Sequence, residues 1–397
     1  MTVTRRVVFL VGGYDPKQPD AFFARLDKEL QRSAATGGFS ATVGPIALTP
    51  GGEIGSVEIE AAGPDWQAKT HFGFMVLDPI VLKDFARPLH RRVFRYLATW
   101  LDYVASGTFL AMARKAWRFS LYFLYPFMAF LFFAVVAAAL GRAVAALPIA
   151  YSGAAGVACA LAAFALMLGY LGERWSILHL MDLWSFSLRF LRGKRPDAEA
   201  LLDRFAAAIV DKARSSAADE LILVGHSTGG GLVLDIAARC IARDPGFSGR
   251  SRRTSILTLG STAQKLGMHP AASAFRRRVK SLVDDPRLAW IDVQCLTDVI
   301  NFYKCDPVAD MGLQPRVKRE PIELPFPLTV TVRMKEMLEP ATYRRIKRNL
   351  FRVHYQYVFG NTRRYFYDFF LICCGPLPLA ERMLEGTGRG MAAREAA

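Results

Sequence analysis

The sequence predicts an α/β protein, a mostly parallel sheet flanked by helices, with two transmembrane helices inserted into it. Three observations predict this. Short apolar strands alternate with amphipathic helices on both sides of residues 113–174, the pattern of a parallel sheet covered on both faces. The middle stretch holds two uncharged runs long enough to cross a bilayer. A Gly-His-Ser-Thr-Gly turn sits between an apolar strand and an apolar-periodic helix.

In chain order, Arg5 to Val11 is β-rich and reads as a strand. Asp20 to Ala34 has helical spacing at Phe22, Phe23, Leu26 and Leu30. Further strands are expected at Ser56 to Ala61 and Thr70 to Leu77. After the inserted stretch, Pro196 to Ser215 is an amphipathic helix with Leu201, Leu202, Phe205, Ile209 and Val210 on one side. A strand at Glu220 to Val224, a helix at Gly230 to Ala242, a strand at Ser255 to Leu259, a helix near Ala271 to Val283 and a strand at Ala289 to Gln294 follow. The predicted organisation is an N-terminal part of the α/β domain at 1–112, the hairpin at 113–174, a C-terminal part at 175–385 and a disordered tail at 386–397. The apolar run Val7 to Val11 behind Arg5 and Arg6 is too short for the core of a secretory signal and is assigned to the first strand.

Phe119 to Leu140 is 22 residues without a charge, enough to cross a hydrocarbon core about 30 Å thick. Ile149 to Leu171 forms a second span, with the connecting loop expected around Gly141 to Pro148. Soluble helices rarely run this long without a polar face. Gly153, Gly156 and Ala160 place small residues along one side of the second span, where a neighbouring backbone can approach. Arg91, Arg92, Arg95, Arg114, Lys115 and Arg118 precede the first span and Arg174 follows the second, against Arg142 alone in the loop. This bias predicts that the α/β domain and both termini are cytoplasmic, at the inner membrane if the source is bacterial.

With 397 residues, 52% hydrophobic and 22% charged, the chain is too rich in core formers to be disordered and too long to be a disulfide-stapled module. The 51 Lys+Arg against 35 Asp+Glu fit either a nucleic-acid binder or a protein at an anionic membrane. The two spans favour the membrane, and no nucleic-acid partner is expected. The basic run Arg344, Arg345, Lys347, Arg348, Arg352, Arg363 and Arg364 is read accordingly as a lipid-facing surface or plain solvated charge. The six cysteines follow no framework or metal-knuckle spacing and read as reduced packing thiols. Cys373 and Cys374, beside an apolar run, are expected to be packed rather than acylated.

The segment Gly225-His226-Ser227-Thr228-Gly229 fits G-x-S-x-G, and its strand-turn-helix context is what that motif requires. The flanking glycines leave room for a tight turn that exposes the serine, and the helix N-terminus behind it favours developing negative charge. With this motif and VVFLVGGYDP near the N-terminus, the chain resembles the α/β-hydrolase superfamily, most closely its lipase and esterase branch. The resemblance implies that Ser227 is the nucleophile and that the amides of Thr228 and Tyr14 form an oxyanion hole. Gly12 stands where such turns commonly carry histidine. The superfamily supplies its triad in the order Ser, acid, His. Of the histidines after Ser227, His269 precedes the strand at Ala289 to Gln294, which leaves His354 as the base. For the acid, Asp298 on the turn after that strand is favoured over Asp306 in Asp-Pro-Val-Ala, while Asp292 lies inside the strand.

The expected function is that of a membrane-anchored serine hydrolase cleaving carboxylic esters, with a lipid or other acyl ester as substrate and no metal or organic cofactor. Two alternatives stand beside it: an acyltransferase using the same residues, and a non-catalytic membrane scaffold on the same fold.

Overall fold

Strands buried on both faces read as continuous apolar runs, and those with one wet face alternate. Both kinds occur here. In a computed structural model that describes residues 2–316 and 326–386, the strands are β1 Arg5–Val11, β2 Ser40–Val43, β3 Ala47–Leu48, β4 Ile54–Ala62, β5 Gln67–Met75, β6 Glu220–His226, β7 Arg253–Leu259, β8 Leu288–Cys295 and β9 Leu328–Val332. They form one mixed sheet in the order β2-β4-β5-β1-β6-β7-β8-β9, with β3 on β4. From β5 to β9 every neighbour is parallel, while β2, β3 and β4 add an antiparallel edge. β1 and β6 are buried almost throughout, whereas β4 buries Val57, Ile59 and Ala61 and exposes Glu58 and Glu60.

The helices that shape the molecule run Pro19–Gly37 (α1), Leu89–Ala105 (α2), Trp117–Ala145 (α3), Ser152–Arg174 (α4), Pro196–Ser215 (α5), Gly229–Arg243 (α6), Ser273–Asp284 (α7) and Leu350–Tyr355 (α8). On one face of the sheet Phe22, Phe23, Leu26 and Leu30 of α1 join Val8, Leu10, Ile222, Val224, Leu257 and Leu259 in a single core. α6 packs on β1, β6 and β7, with α5 and α7 beside it. The buried pair Arg6–Glu220, Nε to Oε2 2.8 Å, ties β1 to β6, and the same guanidinium donates to the carbonyls of Gly375 and Leu377.

The chain divides into two compact units, 1–83 with 191–397, and 84–190. The first contains the sheet. The second holds more than the hairpin, since α2 and the helix Thr108–Lys115 belong to it. The loop between its two long helices is shorter than expected from the sequence: α3 continues through Gly141 to Ala145 because no residue before Pro148 breaks it. α3 and α4 are 29 and 23 residues long, apolar enough to span a membrane, and only 28% and 11% of their apolar windows are buried. Buried core helices they are not. At about 1.5 Å per residue both exceed a core of about 30 Å.

These helices cross where Gly141 meets Gly156. A Cβ on Gly141 would stand 2.6 Å from the Gly156 carbonyl oxygen, and one on Gly156 would stand 2.5 Å from that of Gly141. Ala160 belongs to this contact, but Gly153, expected in the same stripe, has nothing within 4 Å of a Cβ position. At one end of the pair Tyr125 Oη donates to the Trp175 carbonyl, 3.2 Å, and Trp117, Tyr170 and Trp175 are exposed there. α2 is amphipathic with its apolar side outward: Phe94 is 74% and Leu101 65% exposed, with Leu97 and Val104 on the same face. The tail called disordered from 386 lies outside the described residues beyond Gly386, which closes the helix Leu379–Gly386. Cys373 and Cys374 are buried at the end of the helix Phe369–Cys374.

Candidate active site

Parallel strands deliver their carboxyl ends to one edge of the sheet, and ligand sites of open α/β sheets form there. Val11 of β1 is level with Gly225 of β6, and His226 is level with Leu259 of β7. The turns leaving β1, β6 and β8 carry Gly12 to Asp15, Ser227 and Asp298 at this edge.

Ser227 is half-buried and adopts φ 62°, a left-handed conformation that costs a non-glycine residue free energy. Three backbone hydrogen bonds hold it there. Its N–H donates to Leu259 O at 3.0 Å, and its carbonyl accepts from Gly230 N at 3.0 Å and Thr262 N at 3.1 Å. The motif glycines are needed for space. A Cβ on Gly225 would strike the Gly229 carbonyl and Val233, and one on Gly229 would strike the carbonyl oxygens of Val11 and Gly12. The turn after β1 is thereby pressed against the start of α6. Gly13 comes so near that its Cβ would lie 3.5 Å from Ser227 Oγ. Thr228 is the residue at the N-terminus of α6, and Tyr14 is buried in the β1 turn.

Asp298 and His354 are brought together from segments 56 residues apart: His354 Nδ1 lies 2.8 Å from Asp298 Oδ2, and both side chains are buried. The other carboxylate oxygen, Oδ1, accepts from Ile300 N at 2.9 Å, so the carboxylate is fixed at both ends. His354 is on α8. A Cβ on Gly260, next to Leu259, would fall 3.0 Å from His354 Cε1 and 3.2 Å from Asp298 Oδ2, which locates the pair against the turn after β7. His354 Nε2 is buried with no hydrogen-bond partner among the described residues.

Asp306 does not join them. Its Oδ1 accepts from Val308 N and Ala309 N and caps the short helix Pro307–Asp310. Asp292 accepts from Thr258 Oγ1 and Gln294 Nε2 inside the sheet, and burial pushes it up to about 6.

One residue at the site carries a role not foreseen from the sequence. His226 Nε2 is 2.9 Å from the His354 carbonyl oxygen, and the two imidazoles lie with centroids 4.6 Å apart, tilted by 35°. A carbonyl only accepts, so this nitrogen must carry the proton. Burial first, then the neighbouring His354, holds the His226 pKa well below the ordinary histidine value. The ring is a neutral donor that anchors the backbone of the residue paired with Asp298. Its position inside the G-x-S-x-G motif was the available signal.

A serine in a strained turn and a buried carboxylate–imidazole pair lie at one edge of a largely parallel α/β sheet. No family model matches the chain, and none of the curated proteins or solved structures compared with it does either. The class defined by these observations is an α/β protein with a mixed, mostly parallel sheet and two helices of membrane-spanning length.

Proposed function

We propose that the protein is a membrane-anchored serine hydrolase of the α/β-hydrolase fold, acting on carboxylic esters. The observation that carries this reading is the Asp298–His354 pair at 2.8 Å beside a serine held at positive φ. The strand order supports it as well, because serine, acid and base follow β6, β8 and β9 in turn along the parallel part of the sheet.

In this mechanism Ser227 Oγ attacks the ester carbonyl carbon while His354 Nε2 takes its proton. Asp298 Oδ2 accepts from His354 Nδ1–H, which fixes the tautomer and stabilises the imidazolium. The carbonyl oxygen becomes an oxyanion received by the amides of Thr228 and Tyr14. Collapse breaks the bond to the alcohol, which leaves with the proton from His354. Water, deprotonated by the same nitrogen, then attacks the acyl-serine and releases the carboxylic acid. No hydrogen bond joins His354 Nε2 to Ser227 Oγ among the described residues, and this step calls for one to form with substrate bound, as catalytic hydrogen bonds often do.

The apolar exposed helices support anchoring in a bilayer, and the exposed face of α2 extends that surface into the headgroup layer. The basic flanks orient both termini toward the cytoplasm. The test is a fluorophosphonate probe, which bonds only to an activated serine. The wild type labels and Ser227→Ala does not. A wild type that stays unlabelled in membranes leaves the fold as a binding scaffold instead.

A further inference from the structure

Next to Ser227 lies a cleft with an unusual charge distribution. Gly12, Gly13 and His226, which neighbour Ser227, line it together with Lys17, Arg25 and Tyr355. Leu26, Phe74 and Phe370 supply an apolar wall. The space in the cleft open to water-sized groups is about 40 Å3, room for a few waters or a compact polar group.

The charged groups do not balance. Asp15 accepts from Tyr355 Oη at 2.9 Å and lies 3.6 Å from Lys17 Nζ. Arg25 has no carboxylate within 4 Å among the described residues. Its guanidinium rests instead 5.4–5.6 Å from the ring centroids of Phe22, Tyr355 and Phe359. Glu29, the next carboxylate, is taken by Arg32 Nη1 at 2.6 Å and by Gly360 N at 3.1 Å. Asp78 is occupied by Lys17 N and Gln18 Nε2. His226 is held neutral, so among the residues that line the cleft Lys17 and Arg25 outnumber Asp15 by one positive charge, and the Arg25 guanidinium sits on aromatic faces. A planar guanidinium with its donors unspent in a half-buried site is suited to bidentate recognition of a phosphate or carboxylate.

We infer that this cleft binds an anionic group, a phosphate or carboxylate, on Arg25 and Lys17, so that the preferred ester is one carrying such a group a few bonds from its scissile carbonyl. The inference rests on the hydrolase reading for the word ester, and on the cleft alone for the anion. Burial lowers the pKa of both cations, and Arg25 lowers that of Lys17 further, a cost that a bound anion would relieve.

Binding without turnover tests it. Full-length Ser227→Ala in neutral detergent is titrated with a monoacylglycerol phosphate, with the monoacylglycerol of the same chain length, and with inorganic phosphate. Charge-assisted hydrogen bonds of the usual strength predict that the phosphate-bearing lipid binds roughly tenfold or more tightly than the neutral one. Arg25→Gln or Lys17→Met in this background brings the ratio toward one, and Arg25→Lys keeps part of it. Inorganic phosphate competing as well as the lipid supports the site with a free anion as its occupant, and weaker competition assigns it to the lipid's own phosphate. Equal affinity for the two lipids in the Ser227→Ala protein overturns the inference, and so does a preference that survives both substitutions. Fluorophosphonate labelling of the wild type reports on the hydrolase reading separately, so either idea can fail while the other stands.

Discussion

Asp298 and Asp306 show how much a single side chain's partner decides. Both are loop aspartates after β8, yet one carboxylate faces His354 and the other faces two amides of its own helix turn. Asp298→Asn should therefore lower ester turnover by about 10⁴, the scale seen when a triad carboxylate is neutralised. Asp306→Asn should leave kcat/KM within a few-fold of wild type and cost at most about 1 kcal/mol of stability, as for a helix cap. Steady-state kinetics and chemical denaturation on the two variants check this. The adjoining histidines give a second expectation, from pH. Because the pKa of His226 lies below its ordinary value of 6.5, the unfolded chain takes up a proton that the folded protein refuses as pH falls below that value. Stability present above pH 6.5 is lost on acidification, by up to about 1.4 kcal/mol per pH unit from this group. His71, lowered chiefly by burial, adds in the same direction. His226→Gln keeps an amide donor toward the His354 carbonyl but does not titrate. Its unfolding free energy should fall less steeply between pH 6.5 and 5 than that of the wild type.

At the scale of elements, the crossing of α3 and α4 depends on the absence of side chains at two positions. Gly141 and Gly156 face one another's carbonyl oxygens, so any Cβ there pushes on backbone, which yields less readily than a flexible side chain. Gly156→Leu should cost about 1–3 kcal/mol through overpacking. Gly153→Leu, at a position open around its Cβ, should lie within about 0.5 kcal/mol of wild type, as expected for an exposed site. Unfolding by titration with a denaturing detergent separates the two, and equal loss in both variants would mean that α4 presents a different face. The turn at Ser227 is held by a similar device: Gly225 and Gly229 let the start of α6 approach β1 until Cβ atoms would no longer fit.

For the whole molecule, the spans interrupt the α/β unit in sequence rather than preceding or following it. Both segments that flank them must then leave the bilayer on one side. Cysteines placed at either end of the chain should be accessible to an impermeant thiol reagent only from the cytoplasmic side. One in the loop near Pro148 should react only from the other. On the proposed reading the substrate is a lipid ester, and Arg344, Arg345, Lys347 and Arg348 present exposed charge, each worth about 1 kcal/mol near an anionic surface. Longer acyl chains also gain about 0.8 kcal/mol per buried methylene. Esters with medium or long chains in anionic vesicles should accordingly show higher kcat/KM than soluble acetyl esters. A preference for short, water-soluble esters in both vesicles and detergent would remove the lipid from the reading and keep the hydrolase.

Local chemistry was legible in the sequence. β1 and α5 have the bounds expected from their residues, because apolar runs and helical periodicity express themselves within a few residues. The strand, turn and helix around Ser227, where two glycines mark the close approach, and the two long apolar helices, where length alone is the signal, are present as expected in kind, with ends displaced by up to five residues. What packing between distant segments decides was not legible. β9 is a five-residue strand whose partner β8 ends 33 residues earlier, and nothing in Leu328–Val332 singles it out before that pairing exists. Asp298 was favoured over Asp306 from its place after β8, while its contact with His354 spans 56 residues and the role of His226 needed one across 128. Gly141 rather than Gly153 at the helix crossing, and an anion-ready guanidinium left without a carboxylate, likewise arise only when separate elements are pressed together. Sequence by itself determined the elements with a strong local signal, among them β1, β6, α1, α5 and the two long apolar helices, and the serine's turn, since these follow from near-neighbour sterics and hydrophobic period. Tertiary structure decided which side chains face one another, since that depends on how the faces of different elements pack.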